Sequence, residues 1–178
     1  MGKRSNFKRI ERDFYRTPEL AVLPLLDHIS DVREYIEPCA GDGALIDILK
    51  KYGKKCLFAC DIFSQREDVV KYDLFDLSFE NKTIITNPPW DRKILHPLLD
   101  KVVESKNCVA YLLFDADWMH TKQSSNYIKY CEKIISIGRV KWIEGSKMTG
   151  KDNCCWYKFV SKDIYQSVFD NTTKFFGR

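Results

Sequence analysis

The sequence predicts an α/β fold with a doubly wound, mostly parallel sheet of seven strands, the last of them antiparallel, on three observations. Short apolar runs of strand length alternate with segments of helical spacing through the first two thirds of the chain, the pattern of repeated βαβ units. Acidic or amide residues close those runs at Glu37, Asp61, Asp73, Asn87 and Asp115, the positions from which open α/β sheets meet ligands beyond the carboxyl ends of their strands. The final two runs are joined by a short loop without helical pattern, and only antiparallel neighbours close that tightly. With 178 residues, 44% of them hydrophobic, the chain suits one domain at 17–178 behind a basic arm at 1–16, long enough to bury a full core.

Taken in order, Phe14-Tyr15-Arg16-Thr17-Pro18 ends the arm, with Thr17 read as an N-cap and Pro18 as the first helical residue. Leu20, Leu23 and Leu26 give that helix an apolar stripe, and Pro24 is a kink point inside it. Val32 to Glu37 reads as a strand, Pro38 to Gly43 as a glycine loop, and Ala44 to about Tyr52 as a helix. Lys55 to Cys60 reads as a buried strand ending on Asp61, followed by a short helical stretch at Gln65 to Asp68 and a strand at Val69 to Tyr72 ending on Asp73. The strand Thr83 to Thr86 must end at Asn87-Pro88-Pro89-Trp90, because proline cannot donate to a ladder and holds the residue before it extended. Leu95, Leu98, Leu99, Val102 and Val103 then mark an amphipathic helix. Cys108 to Phe114 reads as a buried strand ending on Asp115, and Thr121 to about Cys131 as a helix. Ile134 to Ile143 and Cys154 to Val160 read as paired strands, with a weak helix after them.

Composition narrows the function. The net charge of +4 resides in the arm, where Lys3, Arg4, Lys8, Arg9, Arg12 and Arg16 face only Glu11 and Asp13; a phosphate backbone or simple solubility explains such a terminus. The loop Lys147 to Asn153, with Lys147 and Lys151, is a phosphate contact or a solvated hairpin turn. Seven cysteines without a C-x-x-C pair fit reduced thiols and a cytoplasmic setting, not a disulfide framework or a zinc ribbon. Cys39 reads as a small buried hydrophobe, His28, His96 and His120 as packing or surface residues, and Asp115 and Asp117 as loop caps. No apolar signal core or membrane span is expected, no metal is called for, and the oligomeric state is left open.

Chemistry gathers at two loops. Gly41 and Gly43 make neither a dinucleotide G-x-G-x-x-G nor a phosphate loop ending in G-K-[ST]. Glu37, at the loop entrance, suits a cationic or hydrogen-bond-donating ligand and would repel a pyrophosphate. Asp61 stands about twenty residues past the loop, where such folds hold ribose hydroxyls, and Asp73 is placed to accept from an adenine amino group. A nucleoside with an amino-acid tail and a positive sulfur satisfies these three carboxylates. At the second loop, Asn87 and Pro88 offer two carbonyl oxygens to the crevice and Trp90 an aromatic wall.

These segments, in this order, resemble the S-adenosylmethionine-dependent amino-methyltransferases, most closely the small phage adenine-N6 DNA methyltransferases. Tyr15-x-Thr17-Pro18 looks like the family's N-terminal cofactor motif, Glu37-Pro38-x-x-Gly41-x-Gly43 like its glycine motif, and Asn87-Pro88-Pro89-Trp90 like its catalytic tetrapeptide. Gly138 to Trp142 and Asn153 to Phe159 look like the closing strands of the phage members. The resemblance implies a class I, Rossmann-like fold and S-adenosyl-L-methionine bound by Tyr15, Thr17, Pro18, Glu37, Pro38, Ala40, Gly41, Gly43, Asp61, Ile62, Asp73, Leu74 and Asn87. It also implies transfer at Asn87, Pro88, Pro89 and Trp90 to adenine N6, in DNA ahead of RNA, with Lys3, Arg4, Lys8, Arg9, Lys147 and Lys151 on the nucleic acid. Trp90 stands where the family more often has tyrosine or phenylalanine, and no target-recognition domain is inserted. The same tetrapeptide serves enzymes acting on RNA or protein glutamine amides, and a non-catalytic protein could retain the fold for binding alone.

Overall fold

The computed structural model describes residues 15–143, 145 and 149–169. Seven strands form one sheet in the order β3-β2-β1-β4-β5-β7-β6: β1 (Glu34–Glu37), β2 (Lys55–Asp61), β3 (Val70–Lys71), β4 (Thr83–Thr86), β5 (Val109–Asp115), β6 (Cys131–Arg139) and β7 (Asn153–Val160). The first five are parallel to one another, whereas β7 is antiparallel to both β5 and β6. The expected doubly wound sheet with an antiparallel last strand is therefore the observed one.

Strand alternation sends successive side chains to opposite faces, and two cores result. Ile84, Ala110, Leu112, Phe114, Tyr157 and Phe159 pack on one face with Leu95, Leu98, Leu99, Val102 and Val103 of α3 (Arg92–Glu104). Tyr35, Ile85, Tyr111, Leu113 and Trp156 pack on the other with α1 (Glu19–Leu26) and α2 (Ala44–Lys51). Helix α3 buries the five residues that its spacing predicts, and the Asp91 side chain caps it by accepting from Lys93 N at 2.9 Å. A last helix, α4 (Lys162–Phe169), follows β7. Among the described residues, no helix is long and apolar enough to cross a membrane.

The structure differs from expectation in five places. Helix α1 buries Ala21, Val22 and Leu25, while Leu20 is 76% exposed, and Pro18 rather than Thr17 takes the N-cap position; with apolar residues all round, this helix's sequence does not single out a face. Gln65 to Asp68 forms turns, not a helix, because Ser64 Oγ and the Arg66–Asp68 ion pair hold the chain locally. Residues 116–130 form three short 3-10 turns (Ala116–His120, Lys122–Asn126, Ile128–Tyr130), so the helix expected at Thr121 to about Cys131 is not formed and Cys131 already opens β6. There Asp115 and Thr121 accept from Trp118 N and Ser124 N, and Ser124 Oγ donates to the Met119 and Thr121 carbonyls, offering the backbone alternatives to an α-helical ladder. Strand β2 is half exposed along its first half, with Leu57 at 50%, because β3 is two residues long and covers only its end. Strand β6 ends at Arg139 rather than Ile143, where the bond Gly150 N to Val140 O at 2.7 Å closes the hairpin loop.

Candidate active site

Both sequence-predicted loops sit beyond the carboxyl ends of parallel strands, side by side. At β1, Glu37 is 2% exposed and its Oε2 has no hydrogen-bond partner. Burial first, then the neighbouring charges of Asp42 and Asp61, push its carboxyl well above the usual carboxylate range. The loop beyond it turns on Gly41 and Gly43, with φ of 53° and 75°, a left-handed backbone that strains residues bearing a Cβ. Asp61 braces this turn: its Oδ2 accepts from Gly41 N at 2.9 Å and its Oδ1 from Phe63 N at 2.8 Å. Arg66 lies over Gly43, donating to the Gly43 carbonyl and pairing with Asp47 at 2.8 Å. Pro38, Ala40 and Leu74 are buried, Ile62 is 48% exposed, and exposed Asp73 accepts from Phe75 N at 2.9 Å.

At β4, Asn87 is held from both sides. Its Nδ2 donates to Thr17 Oγ1 at 3.1 Å, and its Oδ1 accepts from Trp90 Nε1 at 3.3 Å. The same indole N–H reaches the Leu113 carbonyl at 3.2 Å, tying the tetrapeptide to β5. Indole is a donor only, so the bond assigns which end of the amide is oxygen. Pro88 is buried beside it, and Pro89 and Trp90 are half-buried. The Trp90 ring meets Trp142 edge to face, with centroids 5.6 Å apart, and Trp142 meets Tyr15 at 6.1 Å. Next along the chain, Arg92 Nη2 pairs with Asp115 Oδ2 at 2.8 Å.

The structure thus brings Thr17 to Asn87, Tyr15 to Trp142, and Asp61 to the glycine loop. Lys151 lines a separate cleft at the β6–β7 turn. Lys3, Arg4, Lys8, Arg9 and Lys147 lie outside the described residues. Sequence reasoning gave no site role to Trp142, Arg66 or Arg92, each of which acts through a partner distant in the chain; Trp142 was read only as part of the strand Ile134 to Ile143. Cys39 has its thiol pushed well above the ordinary value by burial, unlike a nucleophile, and His96 accepts from Trp118 Nε1 at 3.2 Å as a packing residue. Among the described residues no group of side chains could hold a metal ion.

No family model and no curated protein matches the sequence. Among solved structures, the chain is similar to the crystal structure of a dimethyladenosine transferase from Plasmodium falciparum, with a TM-score of 0.58 and 15% identity over 88% of this chain and 66% of that one. This chain therefore spans just under two thirds of that structure's length. At this identity the likeness establishes the fold, which is the Rossmann-like fold of class I methyltransferases.

Proposed function

We propose that this chain transfers a methyl group from S-adenosylmethionine to the exocyclic N6 amino group of adenine in DNA. The observation that carries the reading is the fixed amide of Asn87, held between Thr17 and Trp90 at the end of β4. A binding module has no need to orient one carboxamide so closely.

The residues at the neighbouring loop fit the cofactor. An orphaned, buried Glu37 oxygen at the entrance to a left-handed glycine turn suits the ammonium of an amino-acid tail, whereas a pyrophosphate there would meet the carboxyls of Glu37, Asp42 and Asp61. Glu37, Gly41, Gly43, Asp61, Ile62, Asp73 and Leu74 would hold the nucleoside and its tail, Ile62 and Leu74 bracketing the base. Bound, the cofactor supplies an electrophilic methyl group on a positively charged sulfur.

The chain's own part concerns the acceptor. An aryl amine's lone pair is delocalised into its ring, and it becomes nucleophilic when its hydrogens are held by acceptors. The Asn87 oxygen has two lone pairs; the Trp90 N–H uses one and leaves the other for an amine hydrogen. The Pro88 carbonyl takes the second hydrogen, and none of the described turn and loop bonds uses that carbonyl. Preorganised acceptors of this kind stabilise positive charge developing on nitrogen without reorganising during transfer. Trp90 presents a ring on which a base turned out of the stack can rest, for about 1–3 kcal/mol.

The similar structure's name favours a second reading, adenosine in RNA. Incubation with labelled S-adenosylmethionine and separate DNA, RNA and protein pools decides between them. Label in N6-methyladenine of DNA is the expected result; label in RNA alone selects the second reading, and none in any pool removes the enzymatic one.

A further inference from the structure

Beyond the end of β5, on the far side of Asn87 from the glycine loop, lies a cleft of about 310 Å³ lined by Asp117, Arg139, Lys151, Asp152 and Asn153. Resting on the transferase reading above, we propose that this cleft is a subsite for the nucleotide adjoining the target adenine, with Arg139 and Lys151 on its phosphate and Asp117, Asp152 and Asn153 on the edge of its base.

Position is the first argument. In the sheet order, β7 and β6, which carry Asn153 and Arg139, stand two and three strands from β4, roughly 10–15 Å at the usual strand spacing. That is too far for the base held at Asn87 and within reach of its neighbour. Asp115 pairs with Cys154 across β5 and β7, so the cleft opens on the same edge of the sheet as the Asn87 loop.

Construction is the second. Arg139 and Asn153 are register partners across β6 and β7, and directly opposed residues of an antiparallel pair share one face. Lys151 and Asp152 immediately precede that pair, and Asp117 arrives from the turn after β5. Among the described residues, neither Arg139 nor Lys151 forms an ion pair, although Arg16, Arg66, Arg92, Lys158 and Lys162 all do. Two cations without an ion-pair partner at one hairpin turn are available to a phosphate.

Chemistry is the third. Every lining residue is polar, which excludes an apolar ligand, and the volume lies at the lower end for small-molecule sites. Two cations and two carboxylates cancel in charge, so the cleft does not act as a general anion sink. It asks for a ligand with an anionic end and a hydrogen-bond-donating end, which a nucleotide with an exocyclic amino group provides. Asn153 donates and accepts, and adds directional readout of the base edge.

The test is anisotropy of a labelled oligonucleotide containing one adenine, read across salt concentrations. Arg139→Gln and Lys151→Gln should each weaken binding about tenfold and lower the salt slope by about one, leaving the affinity for S-adenosylhomocysteine unchanged. An abasic residue beside the adenine should weaken binding to the wild type and make no difference to the Asp117→Asn/Asp152→Asn double variant. All four side chains are exposed, and matching melting temperatures will show that the variants fold. Unchanged affinity and slope in both cation variants, or an abasic flank that costs the wild type nothing, overturns the subsite. Its failure is separable from failure of the transferase reading: methylation with insensitive variants sinks the cleft alone, whereas sensitive binding without methylation in any pool sinks the transferase alone.

Discussion

The two halves of the sheet solve opposite problems. In the β3-β2-β1 half, backbone geometry makes the candidate site: two glycines in left-handed conformation, an aspartate whose oxygens both brace turns, and one buried carboxyl oxygen left without a partner. In the β4-β5-β7-β6 half, side chains make it, with Asn87 locked between Thr17 and Trp90 and a train of rings running from Trp90 through Trp142 to Tyr15. The first half is a socket with an unpartnered carboxyl oxygen, the second a clamp with a fixed dipole. Damage to the socket should therefore appear in cofactor affinity, and damage to the clamp in turnover.

The largest expected separation comes from Asn87→Ala. It removes the oriented oxygen and should lower methyl transfer by roughly 100-fold or more, while calorimetry with S-adenosylhomocysteine finds affinity within a few-fold of wild type. Loss of both together would break the division between the halves.

Gly43→Ala strikes the socket. Its φ of 75° is strained for alanine, and a Cβ would stand 2.7 Å from Arg66 Cζ. A stability loss of about 1–2 kcal/mol should accompany weaker S-adenosylhomocysteine binding, measured by thermal unfolding with and without ligand. Turnover at saturating cofactor should stay near wild type; a fall in kcat at saturation would show that the socket also governs transfer.

Glu37 offers a pH test. Its folded carboxyl lies well above the ordinary range, so the folded protein holds a proton that the unfolded chain releases near pH 4.5. Stability from this group is fully present below the unfolded value and lost as pH rises toward the folded one. A cationic ligand favours the carboxylate, so its binding expels the proton, and affinity for S-adenosylhomocysteine should climb with pH by at most about tenfold per unit. Glu37→Gln should flatten that climb; an equally steep slope in the variant assigns the proton elsewhere.

The smallest effect distinguishes two uses of Trp90. Phenylalanine keeps a ring but removes the N–H shared by Asn87 Oδ1 and the Leu113 carbonyl. One hydrogen bond of about 0.5–1.5 kcal/mol translates into a two- to tenfold lower kcat for Trp90→Phe, with the acceptor KM nearly unchanged. A raised KM with normal kcat would make stacking the whole of its role.

The same contrast explains what was legible in the sequence. The socket half is written in short stretches: glycine spacing, the acidic strand ends and the apolar period of α2 all lie within one βαβ unit. Helix α3 was legible for the same reason, since its five buried residues repeat on a single face. The clamp half depends on contacts between distant residues, Thr17 with Asn87 and Tyr15 with Trp142, which no local pattern announces. Helix α1 concealed its buried face because Leu20 and Leu23 are as apolar as Ala21 and Val22. The segment from Thr121 concealed its turns because Thr121 and Ser124 redirect backbone bonds that a helical period assigns to the ladder.

The place of β7 has a consequence for how the molecule comes together. It is the latest strand in sequence and an interior one, inserted between β5 and β6. As the chain leaves the ribosome, the parallel strands and the glycine turn can assemble while β5 and β6 still show bare edges to each other. Only when residues 153–160 arrive is the gap filled, and Trp156 and Tyr157 then reach the two cores on opposite faces at once. The socket is thus free to mature before the clamp's half of the sheet closes. A nascent chain halted short of residue 153 would leave one edge of β5 bare and β6 without its sheet partner, the kind of surface on which neighbouring chains add themselves.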